Sequence, residues 1–201
     1  MGSRLILASK SPRRYELLKQ LGLDFDTVPS GVKEDVLDGE SPDQHVIRLA
    51  ETKAGEVGNR YPNCWVIAAD TIVYIHGSIL GQPKNGEEAL EMLQRLSGQE
   101  HWVWTGFSVH HLAKRMGDHE AVQTAVKFKP LSPVEMEWYI RTGEPFDKAG
   151  AYAIQGIGSF MIESIRGSYT NVIGLPMSEL VQMLIRLGAL QISEFGMRIA
   201  P

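Results

Sequence analysis

The sequence predicts an α/β fold built on a mixed β-sheet, and three observations carry that expectation. Apolar runs of strand length alternate with helical periods along the chain. The helical periods open at polar caps, three of them at Ser-Pro: Ser11-Pro12, Ser41-Pro42 and Ser132-Pro133. Strand-like runs come in neighbouring pairs in the middle of the chain, which a purely parallel sheet does not accommodate. With 201 residues, the chain is one domain, or one domain folded as two lobes around a cleft.

Leu5 to Ala8 reads as a buried strand. Ser11 caps a helix with Pro12 at its first position; Leu17, Leu18 and Leu21 keep the period, and Gly22 ends it. Ser41-Pro42-Asp43-Gln44 is a capping-box pattern, and the helix it opens runs to about Val57. Trp65 to Ala69 is a continuous apolar run that ends at Asp70, followed by the β-type stretch Thr71 to Ile75. Gly77, between Ile75 and Ile79, predicts a hairpin. Asn85-Gly86-Glu87-Glu88 opens a third helix with a capping box, and Gly98 follows its end. His101 to His111 and Ala121 to Phe128 read as two long strands. Ser132-Pro133-Val134-Glu135 caps a fourth helix that ends at Gly143. Phe160 to Ile165 and Asn171 to Ile173 are further strand candidates, and a last helix over about Met177 to Leu187 ends at Gly188. The single domain spans 1–190, with 191–201 as a C-terminal tail.

A net charge of -4 argues against a dedicated nucleic-acid binder and leaves room for a local basic pocket. The only cysteine, Cys64, excludes an internal disulfide and a cysteine-based zinc site. No apolar run approaches the roughly 20 residues of a membrane span. The run at Leu5 is too short for a signal-peptide core, so the expected location is cytoplasmic. There is no G-x-x-x-x-G-K-[ST] loop, no H-E-x-x-H and no G-x-S-x-G. The histidines lack metal-ligand spacing, and His110 and His111 would alternate faces of a strand.

Five places could carry chemistry, and each also has a plainer reading. At Ser9-Lys10-Ser11-Pro12-Arg13-Arg14, three cations crowd a helix N-terminus, the wrong sign for its dipole unless an anion binds there. The plainer reading is a solvated basic turn, but Arg14 continues the stripe of Leu17 and Leu18 and so calls for a carboxylate or phosphate. Lys53 falls on the apolar face marked by Val46, Leu49, Ala50 and Val57; it either snorkels to the rim or meets a phosphate. Asp70 is a carboxylate in a buried run, costly unless paired or bound to a metal. Glu34 and Asp35 are an ordinary acidic loop, or partners of Asp70 in a magnesium site. The glycine-rich run Gly143 to Gly158 reads as a simple turn or as a loop whose backbone approaches a ligand; the Gln155 amide suits a base edge.

With these residues in place, the chain resembles the Maf family of nucleoside triphosphate pyrophosphatases from about Leu5 to Leu187. The segments that carry the resemblance are LASKSPRR (Leu7 to Arg14), RLAETKA (Arg48 to Ala54), AADTIV (Ala68 to Val73), LSGQEH (Leu96 to His101), EPFDKAGAYAIQG and GSYTNVIGLP. The resemblance implies a long mixed sheet with flanking helices around a deep cleft, similar to inosine triphosphate pyrophosphatases. It implies hydrolysis between the α- and β-phosphates with a divalent metal, Mg²⁺ or Mn²⁺. Asp70 matches the family's catalytic base; Arg13, Thr71 and Gln155 match positions linked to base choice. That set is similar to the branch acting on dTTP and UTP, including modified pyrimidine triphosphates in a house-cleaning role; the branch acting on 7-methyl-GTP typically has an acid at the position of Gln155. One departure is Gln82, where the family usually has lysine; Lys84 stands two residues on.

The expected mechanism follows from these matches. Ser9, Arg13, Arg14 and Lys53 hold the triphosphate, with Lys148, Gln82 and Lys84 on its other side. Glu34 and Asp70 hold the metal, and Asp70 activates the attacking water. No nucleic-acid or membrane partner is expected, and a homodimer is the family-level expectation. The alternatives are a nucleotide-binding regulator of septum formation with little catalysis, and a 7-methyl-GTP pyrophosphatase.

Overall fold

The computed structural model describes residues 4–191 of the chain; the expected tail, 191–201, lies outside these apart from Gln191. Seven strands form one mixed sheet. They are β1 (Leu5–Leu7), β2 (Phe25–Thr27), β3 (Trp65–Ile75), β4 (Ser78–Leu80), β5 (Glu100–His111), β6 (Met116–Phe128) and β7 (Ile162–Arg166). Their order is β2-β1-β3-β5-β6-β7, with β4 paired to β3. β1 pairs in parallel with β2 and β3, while β3–β4 and β6–β7 are antiparallel. The helices are α1 (Pro12–Lys19), α2 (Pro42–Arg60), α3 (Gly86–Leu96), α4 (Pro133–Arg141), α5 (Tyr169–Ile173) and α6 (Met177–Arg186).

The chain divides into two compact units, and β3, β5 and β6 each pass from one to the other. Among the described residues the first unit comprises 4–70, 106–121 and 174–191. In it, Ile6, Ala8, Val66 and Ala68 pack against Ala54 and Val57 of α2. The helix lies unusually close: a Cβ on Gly106 would stand 2.4 Å from the Val46 carbonyl carbon, so only glycine lets β5 pass there. The second unit, 71–105 and 122–173, has its own core, in which Leu93 and Leu96 of α3 and Met136 and Tyr139 of α4 meet Val73, Val126 and Phe128. His101 belongs to that core. It packs edge-on to Phe128 and Tyr152, with Nε2 at 2.8 Å from the Tyr152 hydroxyl. Burial holds its imidazole down at about 3, so it is neutral at physiological pH.

Local chemistry explains both agreement and difference with the sequence. Ser132 and Glu135 form a reciprocal capping box, as do Ser41 and Gln44. At α3 only half of the expected box exists: Asn85 caps the Glu88 N–H, but the Glu88 carboxylate turns back to the Lys84 N–H. The β3–β4 hairpin turns through His76 and Gly77, both with positive φ, as a tight two-residue loop requires. Asn171 to Ile173 is helical, not a strand: Ser168 accepts from the Asn171 and Val172 N–H groups and starts a short helix. Asp70 does not end its strand either, since β3 continues through it to Ile75. Among the described residues, no helix is long and apolar enough to cross a membrane.

Candidate active site

In the first unit the site begins where β1 turns into α1. Ser11 accepts from the Arg14 N–H at 3.4 Å, and the buried Ser9 hydroxyl accepts from the Ser11 N–H at 3.1 Å. The first turn of α1 holds no acidic residue, while Arg13 and Arg14 lie in it. The guanidinium of Arg14 donates through Nε to the Gly174 carbonyl at 2.7 Å. Burial pulls its pKa down, while the carboxylates of Asp70 and Glu34 act against that pull. An arginine stays charged under such a shift. The result is a cation fixed at the positive end of a helix, an arrangement suited to an anion.

Asp70 stands where the parallel ladder stops. Leu7 is the last residue of β1 and pairs with Ile67, and the Ala8 N–H closes on the Ile67 carbonyl. β3 runs on past this point, so Asp70 projects beyond the carboxyl end of β1. That is the position at which open α/β sheets bind ligands. Lys53 neither snorkels to the rim nor stands alone: its ammonium donates to Asp70 Oδ1 at 2.7 Å and to Glu34 Oε1 at 2.5 Å. Two of its three donors are thereby used. The Asp70 side chain is 7% exposed and that of Glu34 55%, so the ammonium joins a buried carboxylate to an exposed one.

The acidic loop carrying Glu34 is pinned by a cluster that the sequence reading did not single out. Arg48 donates to Glu40 through Nε and Nη2, at 2.5 and 2.8 Å, and Nη2 also reaches the Asp35 carbonyl at 2.9 Å. The hydrogen bonds from Arg48 hold the Glu40 carboxyl at about 2. The signal was present: Arg48 lies five residues before Lys53 on α2, inside the RLAETKA segment.

In the second unit Thr71 shares a hydrogen bond of 2.9 Å with Thr105, which donates to the Asn171 carbonyl at 3.0 Å. Lys148 donates to the Glu144 carbonyl at 2.6 Å and to Asp147 Oδ1 at 2.5 Å. Gln82 belongs to the same cluster: its amide donates to the Asp147 carbonyl at 3.3 Å, and the Gly150 N–H bonds the neighbouring Gly81 carbonyl at 3.0 Å. Lys84 is placed differently, with an exposed side chain paired to Glu88 at 3.7 Å. Gln155 is exposed, just ahead of the positive-φ Gly156.

Among the described residues no group of three or more His, Cys, Asp or Glu side chains could enclose a metal ion. Mg²⁺ commonly binds through one or two carboxylates together with substrate phosphates and water. Glu34 and Asp70, converging on one ammonium, fit that partial donor set and not a closed protein cage.

A family model described as Maf-like protein matches residues 4–187. The dTTP/UTP pyrophosphatase of Syntrophus aciditrophicus is 50% identical, over 94% of this chain and 93% of its own. The dTTP/UTP pyrophosphatase of Geotalea uraniireducens is 49% identical, over 94% of this chain and 97% of its own. That of Myxococcus xanthus is 48% identical, over 92% of each chain. Among solved structures, a HAM1 protein from Coxiella burnetii is 13% identical with a TM-score of 0.45, over 94% of this chain and 100% of that one.

Proposed function

The chain belongs to the Maf family, and we propose that it is a nucleoside triphosphate pyrophosphatase hydrolysing dTTP and UTP to monophosphate and pyrophosphate. The observation that carries this reading is the buried Asp70 carboxylate, held by Lys53 beside Glu34 past the end of a parallel ladder. Ser9, Arg13 and Arg14 grip the phosphates, and Lys53 gives them its third donor. Glu34 and Asp70 would hold the divalent cation, Mg²⁺ or Mn²⁺. When bound, that cation neutralises phosphate charge and acidifies water.

Lys53 fixes Asp70 Oδ1, and Oδ2 accepts the proton of the attacking water. The water oxygen bonds to the α-phosphorus, the bond to the bridging oxygen breaks, and pyrophosphate leaves with that oxygen. Lys148, Gln82 and Lys84 are further phosphate contacts in this reading, Gln82 without charge. Arg13, Thr71 and Gln155 choose the base. The Gln155 amide offers a donor and an acceptor side by side, matching the O4 and N3–H edge of uracil and thymine. The proposal also includes a cytoplasmic setting, a homodimer, and no nucleic-acid or membrane partner.

Asp70→Asn tests the chemistry. Loss of a positioned base lowers turnover by about 10²–10⁴-fold, and pyrophosphate release from UTP with Mg²⁺ reads it. Wild-type release by this variant would remove Asp70 from the role given to it.

A further inference from the structure

The Glu144 carboxylate ties two stretches of the glycine-rich loop to helix α4. Its Oε1 accepts from the Tyr139 hydroxyl at 3.0 Å and from the Gly158 N–H at 2.9 Å, and its Oε2 accepts from the Ile157 N–H at 3.0 Å. Its main-chain carbonyl accepts from the Lys148 ammonium at 2.6 Å. Burial pushes the Glu144 carboxyl up, but the bonds from Gly158, Ile157 and Tyr139 together bring it below the usual carboxylate range. The fit is close on every side. A Cβ on Gly156 would stand 2.7 Å from Glu144 Oε2, and one on Gly158 would stand 2.7 Å from the Tyr139 hydroxyl. Tyr139 is itself fully buried in the core of its unit, so the carboxylate is anchored from below by a rigid donor.

Gln155 lies between these two holds. It immediately precedes Gly156, and the next two N–H groups are those that Glu144 accepts. Gln155, Gly156 and Ile157 are all exposed, so on the carboxyl side of Gln155 the backbone is held by hydrogen bonds: Glu144 takes the Ile157 and Gly158 N–H groups, and the Ser159 hydroxyl donates to the Gly156 carbonyl at 2.8 Å. We propose that Glu144 is a positioning residue for nucleobase selection: it aims the Gln155 amide while holding the Lys148 ammonium through its carbonyl. The inference rests on the reading above in which Gln155 meets the base and Lys148 the phosphates.

Three variants test it: Glu144→Ala, Glu144→Gln and Gln155→Ala, each compared with wild type for kcat and KM on UTP and on 7-methyl-GTP. Glu144→Ala removes the three bonds that the carboxylate accepts, from Tyr139, Ile157 and Gly158. Glu144→Gln keeps one oxygen for Gly158 and Tyr139 and sets an amide N–H₂ against the Ile157 N–H, a partial loss. The expected result is a graded fall in the UTP over 7-methyl-GTP ratio of kcat/KM. The fall is about tenfold or more for alanine and smaller for glutamine, is carried mainly by KM for UTP, and follows the direction of Gln155→Ala. If Glu144→Ala does not fold, the glutamine variant carries the test alone. If Gln155→Ala shifts the ratio and the Glu144 variants only lower the Tm, Glu144 is structural and the proposal is overturned. If Gln155→Ala leaves the ratio unchanged, the reading of Gln155 fails and the proposal falls with it.

Discussion

Replacing Lys53 by methionine separates the two carboxylates that its ammonium joins. Methionine keeps most of the apolar stem on the buried face of α2, so the change reports the charge. The two arms differ in burial. Toward Asp70, the side chains are 9% and 7% exposed; toward Glu34, the partner is 55% exposed. Breaking a buried pair from one side leaves an uncompensated charge and costs about 3–5 kcal/mol. An exposed arm contributes about 0–1 kcal/mol. Lys53→Met therefore loses about 3–5 kcal/mol, and Glu34→Gln loses about 1 kcal/mol or less. Lys53→Met/Asp70→Asn loses distinctly less than the sum of its single changes, because the orphaned charge is gone. Urea unfolding at neutral pH, followed by tryptophan fluorescence, measures these variants and Asp70→Asn against wild type. A Lys53→Met variant that loses less than about 1 kcal/mol, the value of an exposed pair, or strict additivity in the double variant, would refute the reasoning.

Two further outcomes follow from the same structure. His101 is held at about 3 in the fold against 6.5 for the free side chain. The unfolded chain thus takes up a proton that the folded one refuses, and His101 costs stability progressively as pH falls from 6.5 towards 3, with no effect above that window. His101→Gln, which keeps an acceptor for the Tyr152 hydroxyl, should flatten the fall of Tm over this window; parallel curves for variant and wild type would contradict it. Gln82 is exposed, and its amide bonds the Asp147 carbonyl of the Lys148 loop at 3.3 Å. Gln82→Lys should therefore shift stability by no more than about 0.5 kcal/mol and raise kcat/KM for UTP severalfold, an effect that weakens in high salt. An unchanged kcat/KM would show that the missing charge is not felt by the phosphates.

What could be read from the sequence was local. Ser11, Ser41 and Ser132 announce their helices because an N-cap bonds residues two or three positions away, and the His76-Gly77 turn does the same for its hairpin. β2 escaped notice because three half-exposed residues at a sheet edge carry no period; only pairing with β1 makes Phe25–Thr27 a strand. The early start of β6 escaped for the same reason, since Met116 to Glu120 is largely exposed. Asn171-Val172-Ile173 misled because a short apolar run does not distinguish strand from helix, and the Ser168 cap decided the matter. In the site, Lys53 and Asp70 were each visible as a charge in an apolar setting. That each is the other's partner was not, because 17 residues separate them and only the sheet and α2 bring them together. The partners of Glu144 were not legible, although it opens the EPFDKAGAYAIQG segment: its three donors come from a helix five residues before it and a loop thirteen and fourteen residues after it.

The account stands most directly on where water enters the triphosphate. Hydrolysis of UTP with Mg²⁺ in ¹⁸O-labelled water, with products separated and weighed by mass spectrometry, reads that bond. Attack at the α-phosphorus activated by Asp70 predicts UMP carrying one ¹⁸O and unlabelled pyrophosphate, with both products lost in Asp70→Asn. Label in the pyrophosphate, UDP with inorganic phosphate, or nucleotide bound without turnover would contradict it.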